Sequence, residues 1–175
     1  MNKEEYPITE EIIIELSKRA AESVKEPELF LNTKTEIRIM FIISDIAKIV
    51  DAQFAKPYHM RGPESMPMKT ADAALSILKL LGVMAKVSTF KFLSEEQIEY
   101  EFDQGLILTQ CPTPLAVYRI ISKIVTNDLG HQPYWYIAEC LQKALILLFA
   151  NADNHFGDLL DKIETKLNDH ASKSE

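Results

Sequence analysis

Apolar residues recur at helical spacing along most of this chain. From Glu10 to about Lys25 the apolar set is Ile12, Ile13, Leu16, Ala20 and Val24, the stripe of an amphipathic helix. Thr9 stands where an N-cap belongs, and Glu10 and Glu11 suit the positive end of the helix dipole. Pro27 marks the end of this first helix. A second helix spans about 35–55 and is apolar on more than one side, through Ile37, Met40, Phe41, Ile43, Ile46, Ala47, Val50 and Phe54. Such a helix is expected to be central and covered on every side.

The stretch KPYHMRGPESMP, residues 56–67, holds three prolines and a glycine and reads as a loop. A third helix follows over about 68–86, with Ala71, Leu75, Leu78, Leu81 and Ala85 at helical spacing. Ser94 with Gln97 predicts a capping box for a short helix through Phe102, broken by Gly105. Thr113 and Pro114 open a further helix to about Asn127. LGHQP is a turn, Pro133 starts a helix to Ala150, and Asn154 caps a last one over about 155–170. The pattern predicts an all-α bundle of five or six helices in a single domain over 1–175, with short disordered ends at about 1–7 and 171–175.

Composition narrows the function classes. The 175 residues carry 19 Lys and Arg against 26 Asp and Glu, a net charge of −7. An acidic surface repels phosphate backbones, so nucleic acid and anionic membranes are disfavoured as partners. A nucleotide in a pocket is not, because local charge decides there. No apolar run reaches the roughly 18 residues of a membrane span, and MNKEEYPITEE has no apolar signal core. The expected location is cytoplasmic. Cys111 and Cys140 belong to no CxxC or Cys/His ligand spacing.

The chain also echoes itself. FIISDIAKIV (41–50) is similar to YRIISKIV (118–125), and TADAALSILKLLGVMA (70–85) to IAECLQKALILLFANA (137–152). The match pairs Lys48 with Lys123 and Asp72 with Glu139. Two related helix-hairpin halves are one explanation, and coincidence between apolar helices is the other.

ISDIAKIVDA (43–52) and MKTADAALSILKLLG (68–82) resemble the paired helices of the all-α nucleoside triphosphate pyrophosphohydrolases, the MazG-like and dimeric dUTPase-like superfamily. That family places an E-x-x-E pair on one helix and an E-x-x-D pair on the next. FGDLLDKIETKLN (156–168) is similar to its terminal helix, with Lys162 or Lys166 as the family's lysine depending on register. The resemblance covers about residues 10–170. It implies a MazG-like bundle, a homodimer, and Mg²⁺-dependent release of pyrophosphate from a nucleoside triphosphate.

Position by position, the family's four carboxylates fall on Asp45, Lys48, Lys69 and Asp72. Mg²⁺ prefers oxygen ligands in octahedral geometry, and two ions would stabilise the attacking and leaving oxygens. Two aspartates beside two lysines make a neutral set, and an ammonium cannot be a ligand. Asp45 and Asp72 remain the metal ligands if a metal is bound, and no catalytic residue is assigned. The expectation is therefore a pyrophosphohydrolase-type protein with a degraded site, weakly active or inactive. The alternative is a non-catalytic module that binds a nucleotide or other small anion, or a protein. On it, Lys48, Lys69, Lys162 and Lys166 meet the phosphate, or Lys48 and Lys69 only bridge helices. Mg²⁺ is the implied cofactor where the site is competent, and there is none otherwise. Asp51, Glu64 and Glu139 are the nearest substitute carboxylates.

Three other groups deserve placement. Tyr134, Trp135 and Tyr136 open a helix, where aromatics stack on a base or fill a core. Asp153, His155 and Asp158 lack a recognised metal-loop spacing. Tyr58, His59 and Arg61 stand in the Pro-rich loop.

Overall fold

The computed structural model describes residues 6–32, 35–53, 62–63, 65–110, 115–126 and 132–172. Those residues form eight α-helices and no strand: α1 (Glu10–Ala20), α2 (Pro27–Asn32), α3 (Thr35–Gln53), α4 (Met66–Val87), α5 (Glu95–Leu108), α6 (Leu115–Thr126), α7 (Tyr134–His155) and α8 (Leu159–Ser172). None is long and apolar enough to cross a membrane. The loop residues Tyr58, His59, Arg61 and Glu64, with Cys111 and the Thr113–Pro114 start signal, lie outside the described residues.

Two 22-residue helices make the centre. α4 buries Ala71, Ala74, Ile77, Leu78 and Leu81, and α7 buries Leu141, Leu145, Leu148 and Phe149. Around them α1, α2, α3 and α8 pack on α4, while α5 and α6 pack on α7; α4 also meets α7, and α3 meets α6. Small residues set the close approaches. A Cβ added to Gly82 would stand 2.0 Å from the Ser17 carbonyl oxygen, so α1 lies on α4 backbone to backbone. Gly105 does the same for α5 on α7, where a Cβ would come 2.8 Å from that of Ala150.

The local chemistry explains where the helix count and boundaries differ from the sequence expectation. Thr9 caps α1 by accepting from the Ile12 N–H, and Ser94 with Gln97 forms the expected box. But α1 ends at Ala20, and Lys86 donates to the Ala21 carbonyl at 2.7 Å, closing that end from outside. Pro27 starts α2 instead of only ending α1, the first-turn position that tolerates a missing N–H. Gly105 does not break α5, because its missing side chain is what lets the helix seat on α7.

Asn154 is not the cap of the last helix. It lies within α7 and donates to the Leu106 carbonyl and to Thr109 Oγ1. His155 Nε2 meets the Thr109 carbonyl at 3.1 Å, so both residues secure the end of α5. The chain then turns through Gly157 and Asp158, both at positive φ, and α8 begins. Nor is α3 covered on every side. Ile39, Ile42, Ile46 and Ile49 are buried, while Ile37, Met40 and Phe41 form an open apolar stripe.

Candidate functional site

α4 is buried on most of its surface and half-open along one stripe, which carries Lys69, Asp72, Ser76 and Lys79. Their spacings of three, four and three residues put all of them on one helix face. α3 contributes Asp45 and Lys48 at i, i+3, with Arg38 two turns before Asp45 on the same side. α8 closes the other flank of the stripe.

Asp45 sits between the two hairpin helices. Lys48 Nζ lies 3.0 Å from Oδ1, and the Ser76 hydroxyl donates to Oδ2 at 3.0 Å. Asp72, one turn before Ser76, receives the Lys166 ammonium from α8. Of the two registers open for the closing helix, Lys166 therefore reaches the aspartate; Lys162 makes no ion pair among the described residues, and its N–H donates to the Asp158 carbonyl. Lys69 is half-buried at i−3 from Asp72. α8 is held in place by its buried Leu159 and Ile163 and by Arg19 of α1, which pairs with Glu164 at 2.7 Å and donates to Asn168.

The sequence reading missed three members. Ser76 links α4 to Asp45 of α3 across the hairpin. Arg38 and Lys79 form a second cationic group further along. The Arg38 guanidinium stacks on the Phe30 ring at 4.1 Å, and its Nε is buried with no hydrogen-bond partner. Burial lowers the Lys79 pKa below the ordinary lysine value, and the positive charge of Arg38 lowers it further. Two like charges thus stand near each other with partial loss of water, and no described carboxylate engages either. The available signal was spacing: Lys79 follows Asp72 by seven residues, and Arg38 precedes Asp45 by seven.

Arg38, Lys48, Lys69, Lys79 and Lys166 stand with Asp45 and Asp72 on α3, α4 and α8. The donor set does not suit Mg²⁺, which wants several oxygen ligands. Each aspartate here is already satisfied by an ammonium, and the other two members of the set, Lys48 and Lys69, are ammoniums themselves. Asp51 offers no remedy, since six residues beyond Asp45 it is rotated by roughly 120° around the helix and is exposed.

The remaining candidates have other roles or neighbours. Glu139 pairs with Lys143 at 2.9 Å, and Lys143 also reaches Glu101 at 3.5 Å. These contacts, led by the hydrogen bond that Lys143 donates to Glu139, raise the Lys143 pKa. Trp135 is exposed and meets Tyr136 edge to face. Tyr136 in turn contacts the Cys140 thiol, whose pKa burial pushes up. Asp153 is exposed.

Comparison of the chain with protein-family models, with curated proteins and with solved structures finds no match.

Proposed function

We propose that this chain is a helical module that holds a phosphate-bearing anion of the nucleotide class in the α3–α4–α8 groove without hydrolysing it. The observation that carries the reading is the Arg38–Lys79 pair: two half-buried cations, near enough for the charge of Arg38 to lower the Lys79 pKa, with no described carboxylate to neutralise them. Desolvated like charges are costly to the folded chain, and a bound dianion would remove the cost. The layout of Asp45, Lys48, Lys69 and Asp72 on one hairpin resembles the MazG-like pyrophosphohydrolase arrangement, with the metal charge replaced by lysine.

The same reading takes the bundle as two related halves. It is supported by the packing of α3 on α4 and of α6 on α7, and by buried Ile42, Ile46 and Ile49 matching buried Val117, Ile121 and Ile124. It also takes the protein as a homodimer, supported by the open stripe of Ile37, Met40 and Phe41; light scattering at two protein concentrations tests that part.

The test of function is calorimetric titration with pyrophosphate and with ATP in the presence of a chelator, followed by a pyrophosphate-release assay with Mg²⁺. Binding without turnover is expected. Absence of binding defeats the anion reading, and Mg²⁺-dependent release of pyrophosphate returns catalysis to first place.

A further inference from the structure

The first half of the molecule shows an arrangement that the second half leaves incomplete. Thr9 and Ser94 cap α1 and α5, and each is followed by two glutamates. Buried Ile8 and Leu93 precede the caps, and buried Ile13 and Ile98 follow four residues after them. α1 packs on α4 as α5 packs on α7. The correspondence therefore extends beyond the hairpins to a three-helix unit, α1–α3–α4 beside α5–α6–α7. In this register Asp72 matches Glu139, Ser76 matches Lys143, and Arg19 matches Gln104.

In the first unit an additional helix lies in the seat beside α1 and α4. α8 puts Lys166 on Asp72, Glu164 and Asn168 on Arg19, and its apolar Leu159 and Ile163 into the core. In the second unit the corresponding place, between α5 and α7, is an open cavity of about 240 Å³. Glu96, Glu101 and Glu139 line it with Lys143 and Tyr100, three carboxylates against one ammonium. Along the same face of α5, Tyr100, Ile107 and Leu108 are 63%, 62% and 57% exposed. The counterpart of Tyr100 on α1 is Glu15, and those of Ile107 and Leu108 are Glu22 and Ser23 in the turn after α1, all polar, so this apolar surface is a feature of the open seat.

We propose that the α5–α7 groove is the docking seat for a helix of another protein that presents a lysine beside an apolar stripe, as α8 does on α4. The lysine would meet Glu139 at the position Lys166 takes on Asp72, and the stripe would cover Tyr100 and Ile107. Lys143 sits between Glu139 and Glu101 and leaves the seat with excess negative charge, which favours a basic helix over an acidic one. This inference rests on the two-half reading of the bundle and not on the anion reading.

The probe is a synthetic peptide of residues 159–172 carrying Glu164→Lys, because Gln104 replaces Arg19 in this seat and Glu101 lies one turn away. It is titrated into the isotope-labelled full chain and followed by amide chemical shifts. The expected result is a set of shifts confined to α5 and α7, saturating with a Kd on the order of 10⁻⁴ M. Glu139→Lys and, separately, Tyr100→Asp should each weaken binding about tenfold or more. Tyr100 is exposed and Glu139 half-buried, and the same spectra report whether each variant is folded. Shifts in α1, α4 and α8 instead would mean that the peptide replaces the resident helix, and would overturn the proposal. So would unchanged affinity in Glu139→Lys, or no shift up to about 1 mM peptide. A parallel pyrophosphate titration reads α3 and α4 alone, so loss of one result leaves the other interpretable.

Discussion

Replacing Lys79 with methionine separates the two effects that the groove combines. Methionine keeps a long apolar stem for packing against α3 and removes the ammonium. Without an anion the variant should be the more stable protein, since burial and Arg38 both disfavour the charge on Lys79. The scale of such a repulsion is that of any two unit charges separated by about 8 Å, ~0.5–2 kcal/mol as the effective dielectric falls from 80 to 20. The half-open site belongs to the lower part of that range, and a gain of about 0.5–1 kcal/mol corresponds to roughly 1–4 °C in Tm for a chain of this size. With pyrophosphate at a hundredfold excess over Kd, the natural protein gains ~2.7 kcal/mol by mass action, or roughly 5–10 °C. Losing one charge-assisted hydrogen bond, ~1.5–3 kcal/mol, raises Kd about 10- to 100-fold. The variant's gain at the same concentration then falls to about 0.4–1.4 kcal/mol. Differential scanning calorimetry at pH 7 with chelator present should show the order of the two melting points reversing between buffers. The pH dependence has a fixed sign. The folded-state pKa of Lys79 lies below the unfolded one, so the natural protein carries its full penalty while Lys79 is charged in both states. That penalty falls as pH rises through the folded value toward the ordinary lysine range near 10.4. The variant's advantage without anion should narrow over that window. A lower Tm for the variant in anion-free buffer, or an undiminished pyrophosphate shift, would refute the reasoning.

Three further perturbations test other parts of the structure. Lys48→Glu with Lys69→Glu recreates four carboxylates on one hairpin, so the double variant should melt lower without metal and gain several degrees from Mg²⁺ or Mn²⁺, while the natural protein barely responds; a strong Mg²⁺ shift in the natural protein would count against the lysine reading. Gly82→Ala adds a Cβ 2.0 Å from the Ser17 carbonyl oxygen, and the overpacking should outweigh the gain of ~1 kcal/mol in helix propensity and leave a net loss of about 1–3 kcal/mol; an unchanged denaturation midpoint would show that α1 can move off α4. In a Cys111→Ser background, Cys140 should alkylate slowly through neutral pH because burial raises its pKa. Its contribution to stability should be complete below the ordinary thiol pKa and decline as pH rises through the raised value, and rapid alkylation at pH 7 by mass spectrometry would contradict the placement.

The helices were legible in the sequence wherever a local signal also served the tertiary contact. Thr9 and the Ser94–Gln97 box start their helices as expected because capping is decided within four residues. The failures occur where a residue answers to a distant neighbour. Gly105 reads as a breaker, yet its small size fits the α7 surface at Ala150. Asn154 reads as a cap, yet its amide is used by Leu106 and Thr109, more than forty residues away. The groove divides in the same way. Asp45 and Lys48 are one turn apart, so their pairing could be anticipated from spacing alone. That Asp72 would be met by Lys166, and not by Lys48 or Lys69, depends on where α8 comes to rest. Arg19, Leu159 and Ile163 fix that position jointly, and none of them carries a recognisable motif. Arg38 and Lys79 were hidden for a related reason: each has an ordinary place in its own helix, and only the packing of α3 on α4 turns them into a shared, partly desolvated charge. The cations of this region thus fall into two physically different groups. Lys48 and Lys166 satisfy aspartates within the fold, whereas Lys79 and Arg38 engage no described carboxylate, and on the proposed anion reading that charge is what a bound phosphate would neutralise.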